Sequence, residues 1–266
     1  MAETGEQWWW KLFQQPSLAS LSMLPNVLDF TAGRDFWPKA NLRALDAGNW
    51  IMGNWEGEWE QTKNSRARLR LCELALRQGG PILELAAGAG GGNLAPLLHL
   101  SPQARLLVND LEIRLLTRWA SFLADRGCGR NTVFAAFDAC DMPLRGGSLG
   151  CISAVGGLSS LLGSGRAALC ECSRILWPGG KLLVGEMALS SDSLASLPDE
   201  LRRNWAGLPW LLGEGECTLT AAGFTIEHHW VEGGRRLQRQ GDGLAEEAEQ
   251  FGLELVVEYH YWVASR

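Results

Sequence analysis

The feature that most constrains the fold is the segment 82–93, with the sequence Ile-Leu-Glu-Leu-Ala-Ala-Gly-Ala-Gly-Gly-Gly-Asn. Its apolar start is typical of a buried strand, and the glycines that follow allow a tight turn into a helix because they lack a Cβ. Such a turn leaves backbone N–H groups free and favours a nucleotide-like ligand. A glycine turn can also serve only to shorten a connection, so this segment alone leaves both interpretations open.

After this segment, strands and helices alternate regularly. An amphipathic helix is predicted over 111–126 and a further helix over 165–176. Further strands are predicted from the apolar runs at 105–110, 132–137, 150–155 and 181–188. Such alternation predicts a parallel sheet, whose right-handed crossovers bring the carboxyl ends of the strands to one edge. At this edge we expect Glu84, Gly88, Asp110, Asp138 and Val155.

The last third of the chain departs from this alternation. A helical insertion is predicted at about 190–213, above the same edge, and it is followed by a strand over 224–231. Residues 253–263 predict a closing strand, antiparallel at or near the edge of the sheet. The expected fold is therefore α/β, a seven-stranded, mostly parallel, Rossmann-like sheet with helices on both faces and an antiparallel last strand.

The first 80 residues contain seven of the 13 tryptophans and show no strand alternation. We expect residues 1–80 to form a helical cap that belongs to the same domain as the core, 81–266. Trp8, Trp9 and Trp10 could anchor the chain at a membrane surface, but the segment has little charge or length, so packing on the protein's own core is favoured. Trp37 belongs to the same tryptophan-rich region.

Composition limits the classes of partner. The net charge is −6 and no dense Lys/Arg block occurs, so nucleic acid is not expected and a small molecule is favoured. No apolar run approaches a spanning length and no signal peptide is recognisable, so we expect no integral membrane segment and a cytoplasmic location. Seven cysteines without a Cys-x-x-Cys pair indicate neither a zinc site nor a disulfide framework, and no metal is expected.

Four motifs, in order along residues 81–231, resemble the class I S-adenosylmethionine-dependent methyltransferases. The motifs lie at 84–90, 109–110, 137–144 and 174–180. In that family the first motif has the form acid-x-Gly-x-Gly-x-Gly. Here Glu84, Gly88 and Gly90 match it, and Ala86 replaces the first glycine.

The resemblance implies S-adenosylmethionine as the cofactor and assigns roles around it. Glu84 and the glycine-turn backbone would approach the methionine part, Asp110 the ribose hydroxyls and Asp138 the adenine amine, while Leu111 and Met142 would pack on the adenine. The predicted cofactor-binding set is Glu84, Ala86, Gly88, Gly90, Asn109, Asp110, Leu111, Asp138, Ala139 and Val155. A dinucleotide-binding domain is the rival, but the third glycine of its motif is missing and Glu84 would repel a pyrophosphate.

The expected activity is methyl transfer to O, N or C of a small, aromatic or hydrophobic metabolite. Substrate residues are expected in the tryptophan-rich region and the insertion, namely Trp50, Trp55, Trp59, Trp205 and Trp210. No catalytic residue is assigned, because displacement at a sulfonium methyl depends mainly on alignment. Among the histidines, His228 or His229 could act as a base, whereas His99 and His260 are expected to be structural.

A domain that binds the cofactor or a partner without transferring methyl groups is the alternative. The absence of an obvious base and the replacement of a motif glycine by Ala86 favour it. The sequence leaves the acceptor and the oligomeric state open.

Overall fold

The computed structural model describes residues 8–15, 19–21, 24–32, 34, 36, 50–161, 165–237 and 243–266. The strands of this part of the chain form one mixed sheet. They are β1 (Ser20–Leu21), β2 (Val27–Asp29), β3 (Ile82–Glu84), β4 (Leu106–Asp110), β5 (Thr132–Ala136), β6 (Leu149–Val155), β7 (Leu176–Leu189), β8 (Thr225–Arg236) and β9 (Val256–Ser265).

The strand order is β1-β2-β5-β4-β3-β6-β7-β9-β8. The six strands from β2 to β7 in this order are parallel, and β9 is antiparallel to both of its neighbours, β7 and β8. The order reverses between β3 and β6, which is where α/β sheets form a crevice at the strand ends. The α/β fold class and the antiparallel last strand are confirmed.

The sheet has two more strands than the seven expected, and both come from the N-terminal part. The expectation that residues 1–80 hold only helices and irregular segments is wrong, because β2 pairs in parallel with β5, Val27 lying opposite Phe134. Three residues are too few to show a periodicity, and the free edge of β5 supplies the hydrogen bonds that stabilise them. Trp37 lies outside the described residues.

Helices cover both faces of this sheet. They are a short 3₁₀ helix (Trp8–Leu12), α1 (Trp50–Asn64), α2 (Arg66–Arg77), α3 (Leu94–Leu100), α4 (Ile113–Asp125), α5 (Gly165–Ile175), α6 (Ser191–Ser196), α7 (Asp199–Asn204), α8 (Gly215–Ala221) and α9 (Gly243–Gln250). Neighbouring strand residues point to opposite faces, so Leu83 and Leu107 belong to one core while Ile82 and Leu106 belong to the other.

The N-terminal aromatic segment packs on the first of these cores. Trp9 and Phe13 are buried, and Phe13 stacks on Phe30 with ring centroids 4.9 Å apart. Packing on the protein's own core, the favoured interpretation of this segment, is therefore what the structure shows. No helix in the described ranges is long and apolar enough to cross a membrane.

The predicted insertion forms α6, α7 and the turns up to residue 213 at the carboxyl end of β7. Together with α9 it builds a third apolar cluster, which contains Leu201, Trp205 and Leu211. The indole N–H of Trp205 donates to Glu247 on α9 at 2.6 Å. The insertion is thus a packed layer beside the strand ends.

Candidate active site

The glycine turn after β3 has the left-handed backbone that only glycine adopts without strain. Gly88, Gly91 and Gly92 have φ values of 58°, 77° and 53°. A Cβ on Gly92 would lie 2.0 Å from Oε1 of Glu84, so this position requires glycine for space as well. Ala86, which replaces the first glycine of the motif, also has a left-handed φ, 50°.

Asp110, at the end of β4, holds this turn in place. Its carboxylate accepts hydrogen bonds from the N–H groups of Gly88 and Glu112, both at 2.9 Å. Burial raises the pKa of Asp110, and these two N–H groups oppose the shift. The carboxylate therefore lies between the glycine turn and the start of α4.

Asn109 joins the ends of three neighbouring strands. Its amide N–H₂ donates to the carbonyl oxygen of Phe137 at 2.9 Å, and its Oδ1 accepts from the N–H of Ala86 at 3.3 Å. The side chain is buried, so it positions the edge of the sheet from behind.

Glu84, the acid of the motif, is fully buried beneath the glycine turn. Burial raises its pKa to about 8, while the nearby Ser153 hydroxyl, the Asn93 N–H and Arg68 oppose the shift. Within the described chain, neither carboxyl oxygen makes a hydrogen bond of normal geometry. In this structure Glu84 supports the turn from below and does not line a cavity.

Arg68 is a site residue that the sequence reasoning missed. It is buried on α2, where its guanidinium donates to the carbonyl oxygen of Gly92 at 2.9 Å and to Asn93 at 3.0 Å. It also pairs with Glu58 of α1 at 2.5 Å. Arg68 thereby links both N-terminal helices to the glycine turn. Its place three residues before the buried Leu71 was the available signal, since it puts Arg68 on the apolar face of α2.

A cleft of about 1150 Å³ opens at the carboxyl ends of the strands. From the predicted cofactor set, its lining contains Ala86, Gly88, Gly90 and Val155. A second concavity, of about 630 Å³, is lined by Leu111 and Asp138 together with Met142. Asp110 lies between the cleft and this concavity. Its carboxylate accepts the N–H of Gly88, which lines the cleft, and the next residue, Leu111, lines the concavity. Three members of the set, Glu84, Asn109 and Ala139, are buried behind these walls.

An apolar pocket of about 390 Å³ adjoins the large cleft. Leu158, Leu208 and Trp210 form its walls, and Ser159 and Met187 line both spaces. Among the five tryptophans predicted to bind substrate, Trp210 is the one found in these linings.

The other four tryptophans lie elsewhere. Trp55 and Trp59 pack against His99, with ring centroids 5.0 and 4.8 Å away. Trp50 is exposed, and Trp205 is buried within the insertion. Their predicted contact with substrate has no support in the geometry.

Glu186, near the end of β7, is a second residue that the sequence reasoning missed. Its carboxylate is buried and accepts hydrogen bonds from the N–H groups of Leu158 at 2.8 Å and Ser159 at 3.1 Å. Burial raises the pKa of Glu186 to about 7. A glutamate within an otherwise apolar strand, close to its carboxyl end, was the signal that could have identified it.

The chain also matches a known family. Residues 85–184, which contain the glycine turn, Asp110 and Asp138, match the model of the methyltransferase domain. They form a class I S-adenosylmethionine-dependent methyltransferase domain. S-adenosylmethionine is the cofactor of this domain class.

Relatives of this methyltransferase domain differ in what they do. A ubiquinone/menaquinone biosynthesis C-methyltransferase of Hahella chejuensis is 28% identical over 129 residues, 48% of this chain and 51% of the relative. The chain spans about half the length of the curated relatives it matches. A solved protein of Bacillus halodurans, assigned as a methyltransferase, has a TM-score of 0.56 at 17% identity and covers 74% of this chain and 96% of its own.

A solved [4+2]-cyclase has almost the same structural similarity, a TM-score of 0.53 at 19% identity, over 76% of this chain and 82% of its own. The fold of the methyltransferase domain thus occurs in proteins with different activities. The activity of this chain has to be argued from its site.

Proposed function

We propose that this protein transfers a methyl group from S-adenosylmethionine to a small apolar acceptor. The observation that carries the proposal is the junction of two spaces at the strand ends: the cleft lined by the glycine turn, and the apolar pocket that meets it at Ser159 and Met187. A cofactor-sized cleft beside a mainly hydrophobic pocket is the arrangement that a two-substrate transfer reaction requires.

The residues present fit the cofactor. The left-handed turn at Gly88 lets the backbone approach a ligand closely, and Asp110 stands where it could accept the hydroxyl groups of a ribose. Leu111, Asp138 and Met142 share one concavity, which suits an adenine ring with one polar edge. S-adenosylmethionine, when bound, supplies a methyl group on a positively charged sulfur.

Arg68 and Glu58 extend this proposed site beyond the predicted set. Both line the cleft beside the glycine turn. The methionine part of the cofactor carries a carboxylate and an ammonium group, and a guanidinium beside a carboxylate complements that pair of charges. Glu84 would act through the turn that it supports.

The acceptor is proposed to be apolar because of the pocket beside the cleft. Leu158, Leu208 and Trp210 offer hydrocarbon and indole surface, and Arg166 also lines the pocket. The curated relatives named as C-methyltransferases of ubiquinone/menaquinone biosynthesis support an apolar acceptor of this kind. Which acceptor atom receives the methyl group is left to the experiment.

Transfer of labelled methyl groups tests this function. We expect the protein, incubated with S-adenosylmethionine labelled in its methyl group and an apolar metabolite extract, to place label in an extractable product and to release S-adenosylhomocysteine. Binding of S-adenosylhomocysteine without incorporation into any acceptor would instead support the alternative, a domain that binds the cofactor without transfer. A variant with Trp210→Ala should lose incorporation and keep cofactor binding.

A further inference from the structure

Glu186 occupies the wall between the cofactor cleft and the apolar pocket. Its carboxylate accepts the N–H groups of Leu158 and Ser159, and both of these residues line the pocket. Glu186 itself lines the cleft. The carboxylate is thus fixed by two backbone donors at the point where an acceptor group would meet the methyl group.

The direction of the side chain agrees with this placement. Along β7, Glu186 points to the same face of the sheet as Leu182 and Val184, since strand residues alternate. Those two residues belong to the core cluster that contains Trp210, a wall of the apolar pocket. Glu186 and the pocket therefore lie on one side of the sheet.

We propose that Glu186 is the general base of the reaction and that the acceptor is an aromatic molecule with a phenol-type hydroxyl group. This inference rests on the proposed function and deepens it. The pocket would hold the ring between Leu158 and Trp210, while the hydroxyl donates to the Glu186 carboxylate. Glu186 would then be a catalytic residue, because its carboxylate contacts the reacting hydroxyl group directly.

A phenol fits this site better than an aliphatic alcohol does. An aliphatic alcohol is too weak an acid to give its proton to a carboxylate, whereas a phenol, with a pKa of about 10 as in tyrosine, comes close enough for transfer.

The acceptor O–H proton passes to the Glu186 carboxylate, and the electron pair of that bond makes the acceptor oxygen, or a ring carbon conjugated with it, nucleophilic. The acceptor forms a bond to the methyl carbon while the C–S bond breaks and its pair stays on sulfur, which becomes neutral. If the ring carbon reacts, its own C–H proton is then lost to solvent, and the oxygen regains the proton held by Glu186.

The charged groups around Glu186 permit this role. His260 of β9 lies directly opposite Glu186 in the sheet register. Burial and the neighbouring His229 lower the pKa of His260, so it is neutral at pH 7. Among the described residues no cation forms a salt bridge with Glu186. The other titratable residues that line the cleft are Glu58, Glu60, Arg68, Glu232, Arg235, Tyr259 and Tyr261, and Arg166 lines the apolar pocket. Glu216 on α8 pairs with His229 on β8, which in turn contacts His260.

Binding of 2-naphthol measures the proposed contact without any turnover. We would titrate it into the full protein saturated with S-adenosylhomocysteine and record affinity by calorimetry from pH 6 to 8. The 2-naphthol hydroxyl stays protonated there, with a pKa near that of other phenols, about 10. Because the ionised carboxylate is the stronger acceptor, affinity should rise up to about tenfold as Glu186 ionises.

Two variants and one analogue serve as controls. In Glu186→Gln an amide oxygen still accepts the two N–H groups, so the fold is kept, but the affinity for 2-naphthol should not change between pH 6 and 8. Glu254→Gln, at an exposed position, should keep the wild-type rise. Naphthalene, which lacks the hydroxyl, should bind with the same affinity at every pH.

The outcomes separate this proposal from the proposed function. A rise in affinity that persists in Glu186→Gln overturns the role of Glu186, and so does a wild-type affinity for 2-naphthol that does not exceed that for naphthalene at pH 8. Failure of 2-naphthol to bind at all overturns the assignment of the pocket. Failure of S-adenosylhomocysteine to bind contradicts the proposed function instead, and the naphthol titration of the ligand-free protein still decides the role of Glu186.

The rate of turnover and its dependence on pH give a second test. A residue with a merely structural role would not change that pH dependence. With S-adenosylmethionine and 2-naphthol, Glu186→Gln should lower kcat by about 10²–10⁴-fold, the usual contribution of a general base, without changing the KM for the cofactor. The wild-type rate should rise with pH through about 7. In Glu186→Asp the rate should be reduced but should still rise with pH. A rate that rises with pH in the same way in Glu186→Gln would contradict the proposal.

Discussion

Ala86 shows how a single residue can depart from a motif and keep its geometry. The family pattern has glycine there, and the alanine adopts a left-handed φ of 50°, a conformation that costs an L-residue about 1–2 kcal/mol. The hydrogen bond from its N–H to Asn109 and the pairing of the strands around it hold the backbone in place. The turn thus keeps its shape at a local cost in stability.

Replacing Ala86 with glycine should therefore leave the free energy of unfolding unchanged or raise it by up to about 1 kcal/mol, since relief of strain offsets the greater entropy of unfolded glycine. Ala87→Gly is the matched control. Ala87 is buried without a positive φ, so this change should cost about 1–2 kcal/mol through a lost buried methyl group and added chain entropy. Urea denaturation compares the two, and equal losses would show that Ala86 is unstrained.

At the scale of elements, α1 and α2 act as part of the glycine turn. The connection is Arg68, which is buried and bonds Glu58, Gly92 and Asn93 at once. A helix placed before the family domain in the sequence thereby completes the cleft at the end of β3. The cap expected at residues 1–80 is, in its second half, a structural wall of the proposed cofactor site.

Arg68→Ala should lower the free energy of unfolding by about 2–4 kcal/mol, because it leaves Glu58 and the Gly92 carbonyl without their charged partner. It should also weaken binding of S-adenosylhomocysteine at least tenfold. Arg70→Ala, at an exposed position of the same helix, should change stability by less than about 0.5 kcal/mol and leave binding intact. Denaturation and calorimetry on both variants make the comparison, and matching results for the two arginines would refute this linkage.

At the scale of the whole molecule, two buried glutamates make stability depend on pH near neutrality. Burial raises the pKa of Glu84 to about 8 and that of Glu186 to about 7, from ordinary values near 4.5. Above pH 4.5 the folded state therefore keeps protons that the unfolded chain has released. The stabilisation linked to these protons is complete below about pH 4.5 and is lost as pH rises to about 8.

We therefore expect the free energy of unfolding to fall between pH 6 and 8, by up to about 1.4 kcal/mol per pH unit for each glutamate that remains protonated. Glu84→Gln removes one of the two groups and should make this decline visibly shallower. Glu254→Gln, at an exposed position, should reproduce the wild-type slope. Denaturant titrations at several pH values provide the slopes, and an unchanged slope in Glu84→Gln would mean that the glutamate is already ionised in the fold.

Much of this architecture is predictable from the sequence because it rests on local signals. Apolar runs that end in acids located β3, β4 and β5, and glycines marked the turn between β3 and α3. β2 escaped prediction because its three residues depend on the edge of β5. The burial of Arg68 and Glu186 beside the cleft was not predicted for a related reason. The sequence identifies a charged residue, but only tertiary packing determines which space its side chain faces.

The tryptophans also show that the sequence does not determine which space a side chain faces. Their number near the N-terminus suggested a substrate pocket, yet Trp55 and Trp59 pack on His99, and the pocket wall is Trp210 from the insertion. Aromatic composition identifies surface that will be buried somewhere. It does not distinguish a core from a binding site.

The proposed methyl transfer requires a cofactor site around Asp110, and calorimetric titration with S-adenosylhomocysteine tests that site most directly. We expect the wild-type protein to bind one equivalent per chain, and Asp110→Ala to lose binding at least tenfold while its folded fraction, checked by circular dichroism, is retained. Asp125→Ala, on the last turn of α4, is the matched control and should bind as the wild type does. No binding by the wild-type protein, or equal binding by a folded Asp110→Ala variant, would contradict the proposed cofactor site.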